Sequence, residues 1–69
     1  MPLAMVRPGQ SANIKRVTGK EEVKRHLENL GFVEGQSVSV VSELSGNLII
    51  NVKGSRVALD KNMASRIIM

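Results

Sequence analysis

The stretch that most restricts the fold is residues 27–38, where a helix has to end and the chain has to turn into a strand. Leu27 falls in the last helical turn, and Gly31 follows where a left-handed backbone conformation stops a helix. Phe32 comes next, at a position whose apolar side chain packs back onto that last turn. Gly35 then occupies the glycine position of a type II turn. This spacing predicts a fixed junction between one helix and a sheet, which is an architectural feature and not a catalytic one.

One amphipathic helix is predicted before that junction, over about residues 19–30. Its apolar stripe has the i, i+4, i+7 spacing and consists of Val23, Leu27 and Leu30. Thr18 and Glu21 match a capping box, with Thr18 at the N-cap and Glu21 at N3. Two pairs of opposite charges are spaced four residues apart on the other side of the helix, Glu21 with Arg25 and Lys24 with Glu28. We therefore expect a surface helix that buries one face.

Alternation of apolar and polar residues predicts short β-strands over most of the remaining chain. A first strand is expected over residues 10–17, with a bulge or bend near Arg16 because Val17 breaks the alternation. After the helix we expect a three-strand meander whose hairpins have two-residue loops. The first loop is predicted as a type II′ turn at Gly46-Asn47, and the second is predicted at Gly54-Ser55.

The end of the chain predicts a helical turn and one more strand. Asp60 suits the N-cap of a short helical turn over about residues 60–65, and residues 66–69 have the pattern of a strand. About five short strands in so short a chain have to close on one another, because a flat sheet would leave long edges open. We therefore predict a single mainly β domain over residues 1–69, a small, partly open antiparallel barrel with the main helix over one mouth.

Composition argues against an enzyme. The 69 residues carry ten Lys and Arg against six Asp and Glu, a net charge of +4, and include no cysteine. No phosphate-binding loop or nucleophile motif occurs, and a domain of this size lacks the second layer that forms most substrate clefts. Glu22 and His26 have ligand-compatible spacing on the helix, but two ligands do not complete a zinc site, so a metal could use this pair only as a bridge between two molecules. We expect no catalysis, no cofactor and no metal site.

The same composition bears on where the protein works. No apolar run approaches the roughly 18 residues of a membrane-spanning helix, so we expect a cytoplasmic protein that does not insert into a membrane. Binding of single-stranded nucleic acid needs aromatic side chains for base stacking, and Phe32, the one aromatic residue, is expected in the helix junction. We therefore interpret the excess of basic residues as solvated surface charge.

The order and spacing of the turn and packing residues resemble those of a known family. The chain contains Pro8-Gly9, Ile14, Gly19 and Leu27, then Leu30-Gly31-Phe32-x-x-Gly35-x-x-Val38-x-Val40, Gly54-x-x-Val57-Ala58-Leu59 and Ala64-x-x-Ile67. In this series it resembles the ferrous iron transport protein A (FeoA) family over nearly its whole length. The resemblance implies an SH3-like barrel and a small, cytosolic, non-enzymatic accessory of bacterial ferrous iron uptake. It also implies a partner, the cytoplasmic GTPase part of the membrane iron permease.

An SH3-like barrel presents its loops or an unpaired strand edge to a partner. The residues we expect at the partner contact lie on the helix and on the two hairpins: Lys24, Arg25, Leu44, Gly46, Asn47, Leu48, Lys53 and Arg56. The residues expected to form caps and turns are Thr18, Glu21, Gly31, Phe32, Gly35 and Gly54. An open barrel edge also permits pairing with a second copy.

Two alternatives to the transport role stay open at this point. The chain is also compatible with a free-standing regulatory module related to the SH3-like C-terminal domain of metal-dependent repressors. The other alternative is a small barrel that binds nucleic acid through charge alone, with an affinity that falls steeply with salt.

Overall fold

The computed structural model describes all 69 residues and contains six short strands and two helices. In chain order the elements are a 3₁₀ turn at Leu3–Met5, β1 at Ser11–Asn13, β2 at Arg16–Val17, α1 at Glu21–Asn29, β3 at Ser37–Leu44, β4 at Asn47–Val52, β5 at Ser55–Asp60, α2 at Lys61–Ala64 and β6 at Ile67–Ile68. The prediction of a mainly β domain with one main helix and a short C-terminal helical turn is confirmed.

The strands form two antiparallel sheets. One sheet has the order β1-β3-β4-β5, and the other consists of β2 and β6, to which Pro2 adds a single bridge at Ile68. The bend predicted near Arg16 is a full break at residues 14–15. The single strand predicted over residues 10–17 is therefore wrong, because its two halves pair with different partners. Ser11–Asn13 pairs with β3, whereas Arg16–Val17 pairs with β6, and this division gives six strands in place of about five.

The central strand β4 shows why the meander folds as a sheet with one buried face. Leu48, Ile50 and Val52 are at most 1% exposed, while Ile49 and Asn51 between them face the other way. Strict alternation gives this result because successive side chains of a strand point to opposite faces. The complete core consists of Leu3, Val6, Ile14, Leu27, Phe32, Val38, Val40, Leu48, Ile50, Val52, Leu59, Ala64, Ile67 and Met69.

The end of α1 has the predicted junction. The Phe32 N–H donates to the Leu27 carbonyl at 3.0 Å and the Gly31 N–H donates to the Glu28 carbonyl at 2.9 Å, which together form a Schellman motif. Gly31 has φ +105°, a value that disfavours any residue with a Cβ. Leu27 and Phe32 have no exposed surface. The assignments of Gly31 as the helix stop and Phe32 as its apolar partner are confirmed.

The start of α1 differs from the prediction, because the capping box at Thr18 and Glu21 does not form. Lys20 is the N-cap residue and makes no side-chain cap, and Glu21 is the first helical residue. Thr18 instead extends the β2–β6 pairing, since its N–H and its hydroxyl both donate to the Arg66 carbonyl at 2.7 and 3.0 Å. The helix is therefore shorter than predicted at its N-terminal end.

Both hairpin loops lie one residue earlier than predicted. Ser45 and Gly46 form the first loop, with φ +52° and +81°, and Lys53 and Gly54 form the second, with φ +51° and +78°. Two consecutive positive φ values identify type I′ turns, which match the twist of the strands that they connect. The predicted loop residue Asn47 is in the ladder opposite Leu44, so the type II′ assignment is wrong.

The predicted ion pairs on α1 also do not form. The one ion pair of the protein joins the Lys61 Nζ to a Glu43 carboxylate oxygen at 2.7 Å, between α2 and β3. An exposed ion pair gains little free energy, because fixing two long side chains in one geometry costs conformational entropy. The absence of the predicted pairs therefore has little effect on stability.

Two of the predicted turns and caps are confirmed. Residues 33–36 form the expected turn, since the Gln36 N–H donates to the Val33 carbonyl at 3.1 Å and Gly35 has φ +82°. Asp60 caps α2 through a hydrogen bond from the Met63 N–H to its carboxylate at 2.7 Å.

We expect the Gly31→Ala variant to be destabilised more than the Gly35→Ala variant. Both positions have positive φ, so each variant should lose about 1–2 kcal/mol from backbone strain. At Gly31 a Cβ would additionally lie 3.3 Å from the Val52 side chain, whereas nothing lies within 4 Å of one at Gly35. Urea denaturation of both variants measures the difference, and an equal loss at the two positions would show that the contact with Val52 is unimportant.

The cap on α2 predicts that one substitution of Asp60 is destabilising and another nearly neutral. Asp60→Ala removes the acceptor for the Met63 N–H and should lower the free energy of unfolding by about 1 kcal/mol. Asp60→Asn keeps a side-chain oxygen at the N-cap and should be within about 0.5 kcal/mol of the parent protein. Thermal denaturation distinguishes the two, and equal losses would indicate that charge rather than capping is the important property.

Candidate docking face

The side of the β3–β4–β5 meander that faces away from the core is a regular surface built from three adjoining strands. Residues paired across neighbouring strands project to the same side of a sheet. The row through Ile49 contains Ser42 and Ala58, and the next row, toward the first hairpin loop, contains Leu44, Asn47 and Asp60. We call this side, together with Val41 beside it, the meander face.

Apolar side chains are exposed on the meander face. Leu44 is 67% exposed, Val41 is 37% exposed, Ile49 is half-buried and Ala58 is exposed. These residues lie on three adjoining strands, so they form one patch rather than scattered contacts. Grouped apolar surface of this kind is typical of a protein–protein contact, whereas a single exposed apolar residue is not.

Val41 is exposed because β3 contains a bulge at this position. The register with β4 runs from Val40 opposite Ile50 directly to Ser42 opposite Ile49, which leaves Val41 without a partner in the ladder. A bulge of this kind bends the strand and turns a side chain in a new direction. The second of two consecutive valines is thereby moved out of the core.

The same part of β3 has an open edge. β1 pairs with β3 only at residues 37–39, and the last backbone bonds on that side connect the Val40 carbonyl to the Gly9 N–H at 2.8 Å and the Val40 N–H to the Gln10 carbonyl at 3.0 Å. Beyond Val40 no strand covers the outer side of β3. An uncovered edge beside apolar side chains is a template for another strand.

Positive charge lies at one end of the meander. Lys53 in the second hairpin loop and Arg56 on β5 are both exposed, and neither has a carboxylate within 4.0 Å. Arg56 is paired with Asn51, so it belongs to the outward side of the sheet. The face therefore has an apolar end and a basic end.

Five of the eight predicted contact residues are exposed on the two hairpins: Leu44, Gly46, Asn47, Lys53 and Arg56. Leu48 is 1% exposed and belongs to the core, so its assignment to the contact is wrong. Lys24 and Arg25 lie on α1. Lys24 lines a groove of about 300 Å³ with Val17, Glu28, Phe32, Val33 and Glu34, none of which is a hairpin residue.

Sequence reasoning missed Val41, Ile49 and Ala58. Ile49 and Ala58 follow from the alternation of β4 and β5 once the buried side of β4 is known. The sequence signal for Val41 is weaker, because it is only the break in alternation at Val40-Val41. This break can be identified as a bulge only once the pairing of β3 with β4 is known.

The chemistry of this surface is that of binding. The protein has no buried charged or polar residue, and no group of three or more His, Cys, Asp and Glu side chains is arranged to hold a metal ion. Neither helix is long and apolar enough to cross a bilayer. The exposed apolar patch and the open strand edge together can pair with another chain.

These features define a small SH3-like barrel with a candidate interaction surface. The FeoA domain family matches residues 1–69, and the chain belongs to this family. A Methanocaldococcus jannaschii protein that carries the name Fe(2+) transport protein A is 26% identical over 68 residues, which cover 99% of this chain and 83% of that protein.

Solved structures of the family superpose closely. The crystal structure of an iron uptake regulatory protein, FeoA, has a TM-score of 0.90 at 26% identity and covers 97% of this chain and 91% of its own. The zinc complex of Stenotrophomonas maltophilia FeoA, described as a prokaryotic SH3-domain protein, has a TM-score of 0.87 at 28% identity over 99% of this chain and 87% of its own. The SH3-like fold and the FeoA assignment predicted from the sequence are confirmed.

The fold also occurs inside larger repressors. A manganese-dependent transcriptional repressor in complex with manganese has a TM-score of 0.90 and covers 97% of this chain but 34% of its own. The identity is 18%, so this likeness shows the fold alone.

Two leucines of the same hairpin should respond differently to truncation. Leu48→Ala removes a buried side chain and should cost about 2–5 kcal/mol, whereas Leu44→Ser changes an exposed one and should be within about 0.5 kcal/mol. Chemical denaturation of both variants measures the difference. A large loss for Leu44→Ser would show that Leu44 is part of the fold and not available to a partner.

Proposed function

We propose that this protein is a non-enzymatic, cytoplasmic accessory of ferrous iron uptake that acts on the cytoplasmic GTPase part of the membrane iron permease. Membership of the FeoA family supports a role in ferrous iron transport. The observation that supports the contact is the exposed apolar patch around Leu44, whose side chain is 67% exposed.

The meander face suits a protein partner because it offers two kinds of contact together. An incoming strand can pair with the open edge of β3 beyond Val40, which supplies backbone hydrogen bonds. Leu44 and Ile49 then supply apolar area beside that strand. Backbone pairing gives affinity and side-chain pockets give selectivity, so this combination explains how a small domain can recognise one partner.

The basic end of the meander favours a partner with an acidic surface. Lys53 and Arg56 have no ion-pair partner within the protein, so an acidic partner surface is complementary to them. Charges of this type at the rim of an interface increase the association rate and make it dependent on salt, while the apolar centre determines how long the complex lasts.

The nucleic-acid alternative has less support than a protein partner. Phe32, the one aromatic side chain, has no exposed surface and is not available to stack on a base. No structural feature favours the regulatory alternative over the transport role, since the likeness to repressors shows the fold alone.

We expect Leu44→Asp to weaken binding to the full-length permease in detergent by about 30-fold, as is typical for loss of a central apolar contact. Met5→Asp is the matched control, because Met5 is 66% exposed and lies outside the meander. Titration by calorimetry or surface plasmon resonance gives both dissociation constants. Equal weakening by the two substitutions would contradict a contact through the meander face.

The action on the permease is tested by its rate of GTP hydrolysis. The parent protein should change that rate at saturation, and Leu44→Asp should need a correspondingly higher concentration to give the same change. Normal binding with an unaltered rate would refute an effect on GTP hydrolysis while leaving the contact itself established.

A further inference from the structure

A second solvent-facing surface is formed by the two-stranded sheet. Arg16 is opposite Ile68, and Pro2 bridges to Ile68 from the other side, so these three residues form one row. The neighbouring pair of Val17 and Ile67 faces the core, since Ile67 has no exposed surface. The row therefore faces away from the core, with Pro2 and Ile68 half-buried and Arg16 exposed.

A second arginine follows this row along the same sheet. Arg66 is exposed and stands two residues before Ile68, and its carbonyl accepts both hydrogen bonds from Thr18. Neither Arg16 nor Arg66 has a carboxylate within 4.0 Å, because the one ion pair of the protein is at α2. We call Pro2, Arg16, Arg66 and Ile68 the ribbon face.

We propose that the ribbon face rests on the anionic lipid headgroups of a bilayer and so orients the protein beside a membrane partner. The inference rests on the proposed function, which places this protein next to a membrane permease. The binding partner must therefore present a planar, negatively charged surface with an apolar layer beneath it.

The shape of the ribbon face favours a planar surface over an inserted peptide. The structure has two cavities, and none of the four ribbon-face residues lines either of them. A face without a cavity cannot enclose an anchoring side chain, whereas headgroups can meet it without a groove.

An exposed apolar side chain near Pro2 supplies the second element of interfacial binding. Met5 is 66% exposed and lies one turn from Pro2, since the Met5 N–H donates to the Pro2 carbonyl at 2.9 Å. Binding at a membrane surface combines apolar burial with attraction to anionic lipids, and either contribution alone is weak. A nucleic acid that contacts this face through its phosphates alone would not contact these apolar side chains.

The expected attraction is weak and local. Each Lys or Arg near an anionic leaflet raises partitioning by about fivefold, so the two arginines together contribute about 25-fold. Such a contact becomes useful when the same molecule is also held by the permease, because the second contact is then made at high effective concentration.

The test is partitioning of the full-length protein onto vesicles of equal parts phosphatidylglycerol and phosphatidylcholine, measured by sedimentation. The double variant Arg16→Gln/Arg66→Gln should bind about 25-fold more weakly than the parent protein. The double variant Lys53→Gln/Arg56→Gln removes the same charge from the meander and is the matched control, with an expected loss of less than about threefold. Equal losses in the two variants would overturn the proposal, since they would indicate attraction by net charge alone.

Two further measurements separate a bilayer from other partners. The variant Arg16→Lys/Arg66→Lys should keep the binding, because headgroup attraction depends on charge, whereas bidentate recognition by a protein carboxylate requires Arg. This variant also keeps the proposal testable if the glutamine variant does not fold. Equal binding to pure phosphatidylcholine vesicles, or displacement by duplex DNA at equal phosphate concentration, would overturn it.

The result is distinguishable from the result for the permease contact. Leu44→Asp should bind vesicles normally and lose the permease in detergent, while Arg16→Gln/Arg66→Gln should do the reverse. Failure of the vesicle experiment alone would refute the ribbon-face proposal and leave the proposed function intact.

Discussion

The contact between the end of α1 and β4 determines how the helix and the sheet are joined. Gly31 comes so close to β4 that a Cβ would lie 3.3 Å from the Val52 side chain, and Phe32 follows with no exposed surface. The Schellman hydrogen bonds fix the direction of the chain at this point, so Phe32 enters the core and α1 is held by Leu27. A helix of nine residues is too short to be stable alone, and this junction supplies the tertiary packing that it needs.

Features decided by local backbone chemistry were predictable from the sequence. The stop at Gly31, the turn at Gly35 and the cap at Asp60 each depend on a few adjacent residues, and all three form as expected. Features decided by distant pairing were not. Thr18 has the local pattern of a helix cap, but bonding to the Arg66 carbonyl, 48 residues away, keeps it in an extended segment. The division of residues 10–17 between two sheets has the same cause.

The candidate docking face was predictable only in part, for a related reason. The hairpin positions of Leu44, Lys53 and Arg56 follow from the sequence, and all three are exposed. The side on which each hairpin residue lies depends on register, because a shift by one residue exchanges the two faces of a strand. The predicted loops were one residue too late. Leu48 was assigned to the contact because it adjoins the first hairpin loop, although it shares the buried face of β4 with Ile50 and Val52. The exposure of Val41 depends on a bulge that no local motif specifies.

The size of the chain explains why its proposed interaction surfaces lie on sheet faces rather than in a cleft. Its 14 core side chains occupy the space between the sheets and α1, and no further layer remains to enclose a ligand. In the proposed function, recognition then depends on exposed patches. The meander face and the ribbon face belong to different sheets, so one molecule can engage a protein and a lipid surface together. Two weak contacts that form simultaneously give a selective complex, since either partner alone holds the molecule only briefly.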